Sequence, residues 1–498
     1  MIKHSALIWP VLLGILALAC TQEEVSPAPT GDRQGKVLGV ATTDLPADSR
    51  DQALRALEQD AFRRESRFLD AVNPGHLFGA TRVEQAEIEA GFWTHDELFQ
   101  IGAQIFQLTF TSEVGFGGED LPIIRRFHTG RRGGPDARRC AACHWRGGPA
   151  GAGDGADDAY LDGDGDSQSS TLARNPPSLA GGGWVEMVAA EMTAELQSYR
   201  DNAIIHAKEN NKTVNLLLTA KGVHFGSMVI TPDGNVDTSG VVGVDLDLVI
   251  RPFGWKGSFS TLRDAVEDAL LIHHGMESEF LVAQGDVARV GSFGGMDPDG
   301  DGVIDEISEG QVSALTLFLA MAETPQQVPP PQGEFMPLLA EGISKFETLG
   351  CATCHTPHLT VTSPLFRLPS RSGGPSIPVD LSKEAAEPRL LPNTQTGEFQ
   401  VPLYSDLKRH DMGPELAEGR PDRGVAGNLF LTRPLWGVAR SRPYLHDGHA
   451  PTLEDAILLH GGEGQASRDA YAALDDAGRA PIRVLLTSLT RARRITVP

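Results

Sequence analysis

Two segments of one pattern carry most of the chemistry: Cys140-Ala141-Ala142-Cys143-His144 and Cys351-Ala352-Thr353-Cys354-His355. Thiols three residues apart can bond both vinyl groups of one haem, and the histidine that follows can ligate its iron, so the pattern reads as c-type haem attachment. Half of a zinc site or a redox dithiol would not require histidine after both pairs. His144 and His355 are then proximal ligands, and the group opposite each iron decides between electron carrier and catalyst.

For the second iron the candidate is His410, in Asp406-Leu407-Lys408-Arg409-His410-Asp411-Met412-Gly413, with Met412 competing. Imidazole and thioether both suit haem iron, and thioether gives the higher potential. The plain alternative is a solvent-facing histidine in a polar loop. His460 shares a helical face with Leu453, Ala456 and Ile457 and reads as a core histidine. For the first iron the candidates are His273, His274 and Met276. Either histidine could bind iron, assist proton transfer or cap a helix end. His128 reads as a loop residue.

Asp297-Pro298-Asp299-Gly300-Asp301-Gly302-Val303-Ile304-Asp305 offers hard oxygens at alternate positions and a glycine for the sharp turn, most of a calcium loop with Asp297, Asp299, Asp301 and Asp305 as ligands. Its usual closing glutamate is replaced by Ser308, with Glu309 next. Asp162-Gly163-Asp164-Gly165-Asp166 is a weaker match and reads equally as a solvated acidic loop. Trp184, Trp255 and Trp436 are large enough to pack on a porphyrin or pass an electron, although most tryptophans are core.

These residues need elements to hold them. The chain has 498 residues, 40% of them hydrophobic, enough for two or three domains. Its 55 glycines and 33 prolines suggest long irregular connections. The net charge of −23 argues against nucleic acid and for a solvated surface that could attract a basic partner. Four of the five cysteines lie in the two motifs, leaving no pair for a disulfide. The fifth, Cys20, ends an apolar run after Lys3 and His4 that is short for a membrane span and reads as a signal peptide over 1–20. Leu16-Ala17-Leu18-Ala19-Cys20 is close to a lipoprotein cleavage site, so Cys20 is the expected lipid attachment point, with ordinary cleavage nearby as the alternative. Export to the periplasm or cell envelope agrees with c-type attachment.

Residues 21–50 are polar and proline-rich and read as a tether. Helical patterning starts near Gln52. A helix is predicted over Thr94–Gln107, where Leu98, Ile101, Ile105 and Phe106 form a stripe. Residues 213–250 favour strands around a turn at Pro232-Asp233-Gly234-Asn235. Further helices are predicted over Thr261–His273 and Glu309–Glu323, before Cys351, and from the N-cap Thr452 to Gly461-Gly462. A long loop is expected from about His355 to Gln400. The prolines at 329–331 mark a boundary. The expected fold is mainly α: a first cytochrome c domain over 51–328, with a β insertion at about 213–250 and the calcium loop, and a second over 329–498.

From about residue 95 onward the chain resembles the bacterial di-haem cytochrome c peroxidase superfamily, and within it the di-haem oxidoreductase (thiol oxidoreductase) branch. The most specific stretches are Thr432-Arg433-Pro434-Leu435-Trp436-Gly437 and Tyr444-Leu445-His446-Asp447-Gly448, followed by Thr452-Leu453-Glu454. The resemblance implies two covalent haem c groups, a calcium ion between the domains, a reactive N-terminal haem and a relay haem at the C-terminal motif. It favours His410 as the distal ligand there. Phe253-Gly254-Trp255-Lys256-Gly257 looks like the family's inter-haem tryptophan motif and makes Trp255 the relay. Where peroxidases of the superfamily carry Gln and Glu, this chain has Ala265 and Gly275, while Met276 is kept. His274 is then the candidate to handle the peroxide proton. No free cysteine pair remains for thiol chemistry. The expected function is an exported, lipid-anchored di-haem oxidoreductase that takes electrons from a small cytochrome or cupredoxin and reduces peroxide or a similar oxidant. A non-enzymatic electron-transfer cytochrome and a di-haem oxygenase acting on an organic substrate are the alternatives.

Overall fold

The computed structural model describes residues 82–110, 137–161, 171–274, 276, 278–284, 306–329 and 335–491. Cys20, the tether, His128, the Asp162–Asp166 loop, Gly275 and the calcium-loop aspartates Asp297, Asp299, Asp301 and Asp305 lie outside these residues. Among the described residues no helix is long and apolar enough to cross a membrane.

The chain enters through a short helix, α1 (Gln85–Glu89), and then α2 (His95–Gln107). Thr94 caps α2 by accepting from the Glu97 backbone N–H, and the Glu97 carboxylate accepts in return from the Thr94 N–H. The predicted stripe of Leu98, Ile101, Ile105 and Phe106 is buried. Short strands β1 (Ala159–Leu161) and β2 (Leu172–Arg174) pair antiparallel. They lead into α3 (Gly182–Asn210), whose first turns are buried on nearly every side and whose last turns are largely solvated.

The strand-rich segment forms an antiparallel sheet of β3 (Val214–Ala220), β4 (Val223–Ile230) and β5 (Val236–Asp237). Val214 faces Ile230 and Leu216 faces Met228, with an irregularity between Leu217 and Thr219. The Pro232–Asn235 turn joins β4 to β5, where Thr231 N–H donates to Asn235 O.

Helix α4 (Leu262–Ala269) runs directly into a π-helical turn, Leu270–His274. Such turns break the regular ladder and recur at functional sites. Helix α5 (Glu279–Gln284) follows. Helix α6 (Glu309–Ala320) is buried at every position and forms the centre of the larger core. Helix α2 crosses it closely: a Cβ at Gly102 would meet Ala314 O at 2.1 Å. Phe318 of α6 packs against Phe99 and Phe106, with ring centres 5.3 and 5.2 Å apart.

β6 (Gln326–Gln327) precedes α7 (Met336–Thr348), which delivers the second Cys-x-x-Cys-His segment. The stretch expected as a long loop contains β7 (Leu359–Val361), β8 (Leu365–Leu368), β9 (Ile377–Asp380) and β10 (Phe399–Val401), paired β7–β10 and β8–β9. Their alternating inward residues Leu359, Val361, Phe366, Leu368, Phe399 and Val401 join the core built by α2, α3 and α6. β11 (Arg409–Asp411) and β12 (Leu429–Leu431) form another ladder. A separate core gathers Leu339 and Phe346 of α7 with residues of three C-terminal helices. These are α8 (Leu453–Leu458), α9 (Gln465–Ala472) and α10 (Asp476–Ser488), followed by β13 (Leu489–Thr490), which pairs with β6. Among the described residues helices outweigh strands, and the sheets are small, of two or three strands each.

Candidate haem sites

Each Cys-x-x-Cys-His segment begins as one 3-10 turn, Cys140–Ala142 and Cys351–Thr353. The four thiols are free of disulfides. After the first turn, His144 Nδ1 sits 3.2 Å from Gly151 O and 3.0 Å from Pro177 O. After the second, His355 Nδ1 sits 3.0 Å from Tyr404 O. A carbonyl oxygen can only accept, so each Nδ1 donates its proton and each Nε2 keeps its lone pair for a metal. Burial pushes both imidazoles down to about 4, with His273 close to His144 and His460 close to His355 adding to the effect. Both are neutral at physiological pH, the form a metal requires. Burial also pushes the Cys140 thiol up to about 12 and the Cys351 thiol up to about 11.

A cavity of about 820 Å³ opens over the second segment. Cys351, Cys354 and His355 lie on its wall, with Leu453, Ile457, Ile482 and Leu486 supplying apolar surface. That volume lies in the range of small-molecule and cofactor pockets, roughly 300–1,000 Å³. The donor set, the free Nε2 and the apolar walls fit a haem.

His410 and Met412 line the same cavity. His410 lies on β11, its Nε2 2.8 Å from Asp406 Oδ2 and its Nδ1 2.7 Å from Glu463 Oε2. Burial opposes its charge, but the Asp406 hydrogen bond and charge outweigh this and push it up to about 11. Cys354, Asp406 and His410 also stand close enough together to hold a metal ion. His460 follows α8, with Nδ1 2.7 Å from Ala456 O and its ring centre 6.3 Å from that of His355.

At the first segment, the π-helical turn brings His274 against Cys140, with Nε2 3.6 Å from Sγ. His274 Nδ1 is 2.7 Å from Ala137 O, and the ring meets Phe110 edge-on. His273 lies half-buried beside it, and Met276 is buried.

Trp255 also lines the cavity. Its indole Nε1 donates to Asn175 O at 2.8 Å, two residues before the Pro177 carbonyl that holds His144. The surrounding Phe253–Gly257 loop is laced to the C-terminal half. Leu431 N–H donates to Trp255 O at 3.0 Å, and the buried Lys256 ammonium donates to Gly427 O and Leu429 O at 2.7 and 2.9 Å. Lys256 also pairs with Glu418 and sits 3.4 Å from the centre of the Phe430 ring. The Arg433 guanidinium stands 5.8 Å from the Trp255 ring centre, and burial pushes it down to about 10. Trp436 lines the cavity too, whereas Trp184 is fully buried against Phe399.

Residues 294–489 match the family described as "Di-haem oxidoreductase, putative peroxidase". The matched stretch holds the second Cys-x-x-Cys-His segment, the cavity wall around it and the Tyr444–Gly448 turn. This part of the chain is similar to the di-haem oxidoreductase family. No curated protein matches the chain. Among solved structures it is similar to a MauG-like protein associated with microbial copper homeostasis, at 17% identity over 53% of this chain and 78% of that one, with a TM-score of 0.27. It is also similar to the hydrazine synthase of Kuenenia stuttgartiensis, at 17% identity over 43% of this chain and 67% of that one, with a TM-score of 0.22. At these scores neither likeness carries weight for fold or function.

Four further residues line the cavity without their spacing in the sequence placing them there. His460 reads as a core histidine from its apolar helical neighbours, and the structure places it on the cavity wall with its ring centre 6.3 Å from that of His355. Glu463 and Arg433 carry no spacing signal, and only the fold brings them to His410 and Trp255. His446, within the family stretch, packs its ring 4.5 Å from that of Phe430 and accepts from Asn175 N–H through its carbonyl at 2.7 Å, a second tie between the two halves.

Proposed function

We propose that this di-haem redox protein carries one covalent haem at Cys140, Cys143 and His144 and a second at Cys351, Cys354 and His355, each motif serving a cytochrome c-type domain. When bound, haem supplies reversible one-electron chemistry at each motif. The protein accepts electrons from a small cytochrome or cupredoxin at the His355 motif and delivers them beside His144 to a small oxidant such as peroxide. Trp255 serves as the relay. The observation that carries this reading is the position of Trp255: it borders the cavity at the second motif, and its indole is hydrogen bonded to the segment that holds His144.

The residues of the chain divide the remaining work. Tyr404 O, Gly151 O and Pro177 O fix the two proximal rings. Arg433 and Lys256 hold the Trp255 loop. His274 is the group beside the first motif able to move a proton, with its Nδ1 proton fixed on Ala137 O and its Nε2 turned to Cys140. Export, a lipid anchor at Cys20 and calcium at Asp297, Asp299, Asp301 and Asp305 belong to the same proposal.

His274 also supports a second reading. If its Nε2 binds iron, the first site has no open position and the protein is an electron carrier. Electron paramagnetic resonance on oxidised and half-reduced protein, before and after peroxide, separates the two. A high-spin first haem that reacts with peroxide is expected. Two low-spin haems inert to peroxide in both states would sink the enzyme reading.

A further inference from the structure

Arg491 follows β13, whose Leu489 packs in the core around the second motif, and its side chain is buried. The guanidinium reaches out of that core. Its Nε donates to Glu323 Oε1 at 2.5 Å, just beyond the end of α6. Its Nη2 donates to Pro149 O at 2.8 Å, in the loop that follows His144. The side chain lies against three glycines: a Cβ at Gly147, Gly148 or Gly437 would stand 3.7, 3.4 or 3.4 Å from it. Gly147 and Gly148 both have positive φ, so the turn that needs glycine also leaves room for the arginine.

The loop that Arg491 grips closes on His144. Gly151 N–H donates to His144 O at 3.2 Å, and Gly151 O stands 3.2 Å from His144 Nδ1. The same loop is tied to the segment that supplies the other acceptor, Pro177 O. Ala150 O accepts from Leu179 N–H, and Gly153 N–H donates to Pro176 O, both at 2.8 Å. The two carbonyls that hold the His144 ring therefore belong to one hydrogen-bonded unit, and Arg491 joins that unit to the core of the second motif.

We propose that Arg491 is a positioning residue for the first haem: through Pro149 it sets how strongly His144 Nδ1 donates, and so the potential of the iron that His144 ligates. The inference rests on the haem attachment proposed above. A strong Nδ1–H donation makes the opposite nitrogen a more basic ligand, which favours ferric iron and lowers the potential. Loosening the loop weakens that donation and raises the potential of the first haem alone.

The test uses purified holoprotein, unaltered and as Arg491→Ala and the double variant Arg491→Gln/Glu323→Gln. The double variant removes both charges of the buried pair together, so no carboxylate is left without its cation and the net charge beside the motif is unchanged. Pyridine haemochrome assays count covalent haem, and spectroelectrochemical titration reads the two midpoint potentials. Repeating the titration in the Cys351→Ala/Cys354→Ala background assigns the signal of the first haem. With two haems per chain, the double variant is expected to shift the reduction equilibrium of the first haem at least threefold towards ferrous iron, about 28 mV at 59 mV per tenfold, and to leave the second in place. A smaller or opposite shift in the double variant, or an equal shift of both haems, would overturn the proposal. So would loss of the first haem from the double variant, which would make the pair a requirement of assembly instead. Fewer than two haems in the unaltered protein would overturn the attachment on which the proposal rests.

Discussion

At His144 and His355 the choice of tautomer is made by backbone carbonyls, which leave one nitrogen of each ring available and keep both rings neutral by burial. Two thiols stand beside each ring, the donor set that the proposed covalent haem would use. Replacing both Cys351 and Cys354 with alanine should cut covalent haem by half, from two groups per chain to one, while the Cys140–Cys143 site remains loaded. Haem staining of the denatured protein, with the haemochrome count, checks this, and loss of both groups would break the independence of the two sites. A second single-residue effect concerns Glu186, buried near the start of α3, whose carboxylate accepts from Leu262 N–H at 2.6 Å. Burial pushes it up to about 8 from an ordinary 4.5. Between these values the folded protein holds a proton that the unfolded chain releases, so stability falls as pH rises through that window. Glu186→Gln keeps the acceptor and removes the titration. Its unfolding free energy should decline less between pH 5 and pH 8, the difference being a few kcal/mol at most. Parallel slopes in urea titrations of the two proteins would refute the assignment.

The elements that place these residues depend on close helix crossings and one buried ionic clamp. Arg263 of α4 is fully buried and donates to Glu267 Oε1 at 3.0 Å, and it also pairs with Glu309 and Ser313 of α6. Arg371 reaches the same Glu267 at 3.0 Å from the β8–β9 region. The clamp thus joins α4, α6 and the small sheet, and α4 carries the π-helical turn that sets His273 and His274. Arg263→Ala leaves the buried Glu309 carboxylate without its cation, Glu267 keeping Arg371, and should cost about 3–5 kcal/mol. Chemical denaturation measures that loss, and a change below 1 kcal/mol would show the clamp to be incidental. Helices α2, α4, α6 and α7, the cap Thr452 and the 214–237 sheet were legible because their periodicity or capping residues are local. Helix α3 was not: its first turns are buried all round and its last are solvated, so no single stripe runs along it. Strands β7–β10 were hidden for another reason. Each is only three or four residues long, and long-range packing on the larger core makes them strands. The Cys-x-x-Cys-His segments stand out in the sequence because their pattern is local, whereas His410, His460 and Glu463 reach the cavity from separate segments whose meeting spacing does not constrain.

Over the whole molecule, the two motifs hang on different cores that the Trp255 loop ties together. The larger core holds the first motif, and α7 with α8–α10 holds the second. The ties are polar and buried: Arg174 pairs with Glu418 and Asp422, and Lys256 pairs with Glu418. Outside them lies a chain with a net charge of −23. A field of that sign speeds encounter with a basic redox protein and slows encounter with an acidic one, and salt weakens both effects by shortening the screening length to about 8 Å at 0.15 M. Stopped-flow reduction by a basic small cytochrome should therefore fall about tenfold or more as ionic strength rises from 0.01 to 0.5 M, and the change should appear in the second-order rate constant, not in the first-order step that follows binding. An acidic donor should show a flat or opposite trend. If the basic donor's rate is insensitive to salt, the donor docks on a local patch whose charge does not follow the molecule's own, and steering by the overall field is excluded.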